Sequence, residues 1–205
     1  MNAVCELNDT QFASGSFDNT LTLWNIDEED AVRTYSGYKE SVNAVCALNS
    51  MRFVSGSDDR TLKLWNVDSS TAVMTYKGHT GSVYAVCALN DTHFVSGSGD
   101  LKMWNVYSPT AILSIPTHSV YALDKLDGYH FVSGGNDNTL KLWRFFQPEE
   151  LPSQELVDVN PRSNLYGFKG LPFSIVNRFI GNKKGYEDNK KIGKGGKRRN
   201  KKSKS

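Results

Sequence analysis

Four stretches of the chain alternate apolar and polar positions and close on a tryptophan: Leu21-Thr22-Leu23-Trp24, Leu62-Lys63-Leu64-Trp65, Leu101-Lys102-Met103-Trp104 and Leu140-Lys141-Leu142-Trp143. A period of two belongs to a strand with one buried face. Upstream of each lies a second run that ends in small residues, Phe12 to Ser16, Phe53 to Ser57, Phe94 to Ser98 and Phe131 to Gly135. The glycines within these runs, Gly15, Gly56, Gly97 and Gly134, permit close approach of a neighbouring strand. Asp18-Asn19, Asp59-Arg60 and Asp137-Asn138 separate the two runs and suit a tight hairpin turn. In the third copy Asp100 runs straight into Leu101, a link two residues shorter, which predicts a distorted or displaced hairpin.

Two further strands complete each copy. One precedes, at Ala3–Leu7, Val42–Leu48, Val83–Leu89 and Val120–Leu126; the other follows the tryptophan, at Ala31–Tyr35, Ala72–Tyr76 and Ala111–Ile115. The tryptophans are 41, 39 and 39 residues apart, close to the period of about 40–45 expected of a four-stranded propeller blade. Residues 1–145 show no helical periodicity, so the pattern predicts an all-β repeat array. A solenoid or a flat array of sheets is the alternative reading.

These copies resemble the WD-repeat (WD40) family over about 145 of the 205 residues. The resemblance rests on Gly78-His79 ahead of a first strand, Ser-Gly-Ser in the second, an Asp in the hairpin, and Trp-Asn where the family usually has Trp-Asp. It implies a β-propeller of four recognisable blades, at about 1–36, 37–77, 78–116 and 117–147. It further implies a buried hydrogen-bonded set in each blade: His79, Ser96, Asp100 and Trp104 in the third, and His118, Ser133, Asp137 and Trp143 in the fourth. The second retains Ser55, Asp59 and Trp65 with Tyr38 in the histidine's place, and the first Ser14, Asp18 and Trp24. On this basis two blades form the full set, and all four tryptophans are largely buried. The top-face positions through which such propellers hold partners correspond here to Phe17, Ser41, Asn43, Asp58, Ser82, Tyr84, Gly99, Ser119, Tyr121 and Asn136. Tyr84 and Tyr121 stand out, because aromatic side chains dominate interface hot spots.

Four blades are few for a ring that usually contains about seven, and an open edge exposes unpaired backbone groups. No fourth strand follows Trp143 at the usual distance; Glu155–Val159 is a late candidate. Three alternatives stay open: part of a longer propeller, a ring completed by another copy or a partner, or a closed four-blade monomer.

Composition changes after Pro148. Residues 148–170 read as a linker. Within 171–181, Phe173, Val176 and Ile180 share a helical face, which suits a short helix or an extended segment docked on the last blade, or a membrane-surface helix backed by basic residues. Residues 182–205 hold eleven Lys and Arg against Glu187 and Asp188, so this end carries +9; with the whole chain at +2, residues 1–181 carry −7. Such a tail cannot bury enough surface to fold alone and is expected to be disordered. Lys183-Lys184 and, twelve residues on, Lys197-Arg198-Arg199-Asn200-Lys201-Lys202 resemble a two-part nuclear import signal and would also neutralise RNA or DNA phosphates.

No run approaches the roughly 18–20 apolar residues of a membrane span, and the N-terminus lacks a basic segment followed by an apolar one. The expectation is a soluble intracellular protein, nuclear or nucleolar in preference to cytoplasmic. Cys5, Cys46 and Cys87 recur at 41-residue intervals and read as one small buried repeat position rather than a metal or disulfide set. The histidines lack zinc-ligand spacing, and neither Gly-x-Ser-x-Gly nor a phosphate-binding Gly-rich loop is present. His79 and His118 read as core histidines, and His93 and His130 as solvated residues at a loop or strand start. No cofactor or metal is expected, and the reading is non-enzymatic. Partners are expected to be proteins at the propeller face or open edge, with a homodimer among them, and RNA, DNA or an import receptor at the tail. The first function class is an interaction scaffold; the second is a nucleic-acid-associated assembly factor. Trp-Asp-x-Arg, the mark of ubiquitin-ligase substrate receptors, is absent: the corresponding strings are Trp24-Asn25-Ile26-Asp27 and Trp65-Asn66-Val67-Asp68.

Overall fold

The computed structural model describes residues 1–146 and 174–180, and every element among them is a strand. The first sheet contains β1 (Ala3–Glu6), β2 (Gln11–Gly15), β3 (Leu21–Asn25) and β4 (Arg33–Tyr35). The second contains β5 (Val42–Asn49), β6 (Arg52–Ser57), β7 (Thr61–Asn66) and β8 (Ser69–Lys77). The third contains β9 (Ala85–Ala88), β10 (His93–Gly97), β11 (Asp100–Asn105) and β12 (Leu113–Pro116). The fourth contains β13 (Val120–Lys125), β14 (His130–Gly135), β15 (Leu140–Phe146) and β16 (Ser174–Ile180). Each sheet is an antiparallel meander in chain order. The first strands β1, β5, β9 and β13 lie beside one another in succession, so the sheets are four blades of a propeller with these strands innermost. No comparable contact joins β13 back to β1 among the described residues.

The alternating pattern fixes an identical register in every blade. Phe12 faces Trp24, Phe53 faces Trp65, Phe94 faces Trp104 and Phe131 faces Trp143 across the second and third strands. The rings stack with centroids 6.2, 6.5, 6.2 and 6.0 Å apart. A slip of one residue would turn all of these to the opposite face. The short third hairpin keeps this register, with Gly97 opposite Leu101 as Gly56 is opposite Leu62. Of the two outcomes expected, it is distorted by tightening and not displaced: Ser98-Gly99 alone makes the turn, and the Ser98 N–H donates to the Asp100 carbonyl at 2.9 Å. The longer turns each contain a residue of positive φ, Asn19, Arg60 or Asn138, that the short one omits.

The last blade is completed by Ser174–Ile180, not by Glu155–Val159, which lies outside the described residues. Of the two docked forms expected for the segment around Ile180, helical or extended, the extended one is found. Periodicity does not separate the two for a short apolar run; the exposed edge of β15, with its unpaired backbone groups, selects the strand. Leu140 pairs with Ile180 just as Leu21, Leu62 and Leu101 pair with Tyr35, Tyr76 and Ile115.

Neighbouring blades pack face to face in three apolar layers. Tyr35, at the outer edge of the first blade, packs edge-on against Phe53 and Trp65 of the second and donates its hydroxyl to the Val67 carbonyl at 3.1 Å. Tyr76 repeats this on Phe94, Trp104 and the Val106 carbonyl of the third blade. Near the axis, Gly15, Gly56 and Gly97 admit Val42, Val83 and Val120 of the following blade; a Cβ on Gly56 would lie 2.5 Å from Val83 Cγ1. Trp65, Trp104 and Trp143 are consequently buried. Trp24 differs from the expectation and is only half-buried, since no preceding blade covers it among the described residues.

Trp65→Ala should cost about 3–5 kcal/mol in urea unfolding, and Trp24→Ala measurably less, because part of the Trp24 ring already meets solvent. Gly56→Ala should cost about 1–3 kcal/mol through overpacking against the stiff Val83. Gly99→Ala, with nothing within 4 Å of the new Cβ, should stay within about 0.5 kcal/mol in the same assay.

Candidate functional site

Two layers make up the candidate site: a buried polar clasp inside each blade, and a rim of loops above it. The clasp starts from the Trp indole N–H, which would be orphaned by burial and instead donates to a serine hydroxyl on the second strand. The distances are 2.9 Å to Ser14, 2.7 Å to Ser55, 2.8 Å to Ser96 and 2.8 Å to Ser133.

In the third blade the clasp extends further. His79 Nε2 lies 2.6 Å from Ser96 Oγ, and its Nδ1 lies 2.6 Å from Asp100 Oδ1. Burial holds His79 below its ordinary pKa against the pull of Asp100, whose carboxyl is itself lowered by hydrogen bonds from Lys102 and His79 despite its partial burial. A neutral His79 beside an ionised Asp100 donates from Nδ1, so Nε2 accepts the Ser96 hydroxyl proton. The linkage matches that of a serine nucleophile activated by His and Asp. Ser96, however, has no exposed surface, sits in the middle of β10 and already receives the Trp104 N–H, so no substrate carbonyl can reach it.

The second blade replaces this with Tyr38, whose hydroxyl donates to the Ser55 carbonyl at 2.8 Å and meets Ser55 Oγ at 2.7 Å. Asp59 is thereby released to the turn, where it accepts the Thr61 N–H and hydroxyl and the Lys39 N–H. In the fourth blade His118 does not take the histidine position, contrary to the expectation: it is exposed, and Asp137 instead holds Lys141 at 2.8 Å. The cause is spacing. Tyr38 and His79 each stand four residues before the inner-strand valine, Val42 or Val83, whereas His118 stands two before Val120, and Pro116 occupies the equivalent place. The third blade alone therefore has the full set. Lys141 holds the Asp137 carboxyl down to about 2.

His93 and His130 begin β10 and β14. Rather than being solvated, His93 is half-buried, hydrogen-bonded near Asn90, Thr92 and Asn105, and packed on Phe145; His130 pairs with Asp127 at 2.9 Å. Cys5, Cys46 and Cys87 occupy one repeated inner-strand position, opposite Ala13, Val54 and Val95. Burial pushes the Cys5 and Cys87 thiols up to about 12 and raises Cys46 as well. They are packing groups held as thiols, and no cluster of His, Cys, Asp or Glu among the described residues could hold a metal.

Above the clasps, the starts of the inner strands and the hairpins between second and third strands form one rim. It contains all ten top-face positions. Tyr84, immediately before β9, and Tyr121, in β13, meet edge to face with centroids 5.0 Å apart and are 39% and 52% exposed. Beside them the Asn43 amide donates to Asp58 Oδ1 at 2.6 Å and reaches the Val83 carbonyl at 3.4 Å. Phe17 is exposed at one end, and Gly99 and Asn136 are exposed in their turns. Ser41, Ser82 and Ser119 are half-buried; the Ser41 carbonyl accepts the Asp58 N–H, and that of Ser119 the Asn136 N–H. The Tyr84–Tyr121 contact itself was not legible in sequence, because it depends on the angle between two blades.

The WD domain, G-beta repeat family model matches residues 29–66, 70–105 and 109–144. The chain belongs to the WD40 family. Each matched repeat begins at the outer strand of one blade and ends on the third strand of the next, so the WD40 repeat is staggered against the sheet and couples neighbouring blades covalently. No curated protein matches the chain. WD40 propellers generally serve as scaffolds for protein interaction and are typically non-enzymatic. No helix among the described residues is long and apolar enough to cross a membrane. The basic positions Lys183, Lys184, Lys197, Arg198, Arg199, Lys201 and Lys202 lie outside the described residues.

Stability should be greatest between about pH 6.5 and 9. Above that range an unfolded chain ionises its thiols and tyrosines at ordinary values, while the folded chain keeps Cys5, Cys87 and Tyr35 protonated to about 12, so stability falls as pH rises. Below it, an unfolded histidine binds a proton that buried His79 and His93 resist, so stability falls again with acid. Urea midpoints across pH measure both limbs; a flat alkaline limb would show that these thiols and phenols are not desolvated.

Proposed function

We propose that the chain is a protein-interaction scaffold whose partner docks on the rim around Tyr84 and Tyr121. The observation that carries this reading is the exposed edge-to-face pair bridging two blades. Two large rings are held in place by a rigid sheet frame, so a partner gains apolar contact at little conformational cost. Asp58 accepts the Asn43 amide, which also reaches the carbonyl of Val83 just before Tyr84, and the exposed Asp18 is kept ionised by its bonds from Thr20. An apolar anchor flanked by Lys or Arg therefore suits this rim best, in keeping with the −7 carried by residues 1–181. Phe17, Ser41, Asn43, Ser82, Gly99, Ser119 and Asn136 supply the remaining surface.

A second reading is favoured by one sequence observation, the basic run from Lys183 to Lys202. On that reading the tail directs nuclear import or binds RNA or DNA phosphates, and the protein acts in a nuclear or nucleolar assembly.

Tyr84→Ala combined with Tyr121→Ala should weaken capture of protein partners from cells at least about 10-fold while the melting curve shifts little. Deleting 182–205 should leave that capture nearly intact and change location. Tight, salt-sensitive RNA or DNA binding that vanishes with the tail, together with partner capture indifferent to the tyrosines, would reverse the order of the two readings.

A further inference from the structure

The three internal blade interfaces use equivalent positions, and among the described residues both ends of the array leave the same positions exposed. On the last blade, Leu140 is 58% exposed, whereas Leu21, Leu62 and Leu101 at its place are fully buried. Leu126 is likewise 58% exposed, against 7% or less for Leu7, Leu48 and Leu89. On the first blade, Ile26 is 65% exposed, although Val67, Val106 and Phe145 at its place are buried. Val4 is 59% exposed, and Phe12 and Trp24 are half-buried.

These end faces are complementary rather than alike. The last blade presents the face that covers a following blade; the first presents the Phe–Trp face that a preceding blade covers. We propose that the missing neighbour of each is a second copy of this chain: the last blade of one copy seats on the first blade of the other, and the reciprocal contact closes a two-copy ring. The contact continues an interface the chain already makes three times. Its axial end has the same residue pattern: Gly134, beside which Leu140 now lies, stands where Gly15, Gly56 and Gly97 receive a valine, and Met1 stands four residues before Cys5 as Val42 and Val83 stand before Cys46 and Cys87.

Two copies of four blades give eight, at the upper end of the four to eight that propellers contain, whereas three copies would exceed it. A head-to-tail contact used twice about a two-fold axis is a closed assembly with no free end face.

Light scattering on the full chain should give the mass of two chains of 22.8 kDa. Leu140→Asp and Ile26→Asp each place a carboxylate in the contact at a site exposed in the single chain. Each should therefore keep a β-sheet circular dichroism spectrum yet raise the dissociation constant about 100-fold or more. An equimolar mixture of the two variants retains one unaltered contact and should recover part of the two-chain particle. A wild-type mass of one chain from micromolar to near-millimolar concentration would overturn the proposal, as would a mass that grows without limit. Retention of the two-chain mass by either variant would do the same, since a contact between like faces survives a charge on the other. Should either variant fail to fold, Leu126→Asp or Val4→Asp on the same face takes its place.

Discussion

Within each blade the indole of the third-strand tryptophan lies over the phenylalanine of the second strand and donates its N–H to a serine hydroxyl beneath it. The bond satisfies the one polar atom of an otherwise apolar ring, so that the whole ring can be withdrawn from water without the cost of an unpaired donor. It also locks second and third strands in register and fixes which side of the sheet is apolar. Every later feature depends on that side being right: the next blade's aromatics, the seated valines and the spacing of the inner strands all follow from it.

Around this constant bond the copies vary in how they hold the turn above it. One blade uses His79 and Asp100, one uses Tyr38, and one links Asp137 to Lys141. A histidine can bridge two acceptor or donor groups, whereas the Tyr38 hydroxyl spends itself on Ser55 and leaves Asp59 to cap the turn alone. The exchange is tolerated because the Trp-to-Ser bond is retained in each. What this leaves for function is a stiff frame with a variable rim, which is how loops gain freedom to bind without weakening the core.

The ends of the array obey the same physics as its middle. A face designed by repetition to be covered stays apolar whether or not a neighbour is present, and Leu140 and Ile26 carry that chemistry into solvent. One inner-strand position departs from it, Asp124 standing where the other blades have cysteine, so the last blade differs from the rest at the axis.

Local alternation and spacing determined much of this protein: the four-stranded copies, the Phe–Trp register and the small residues at blade contacts, because all of them depend on residues within one repeat. The chain alone allowed 171–181 to be an extended segment docked on the last blade, but not that Ser174–Ile180 is that blade's fourth strand, since the strand is selected by an edge remote in sequence. Nor did it reveal that His118 is exposed: the residue type matched, and only the length of the link to Val120 placed it outside the clasp. The half-burial of Trp24, and the meeting of Tyr84 with Tyr121, arise between blades. Such contacts depend on how two sheets are set against each other, a relation fixed by packing in three dimensions and carried by no periodicity along the chain.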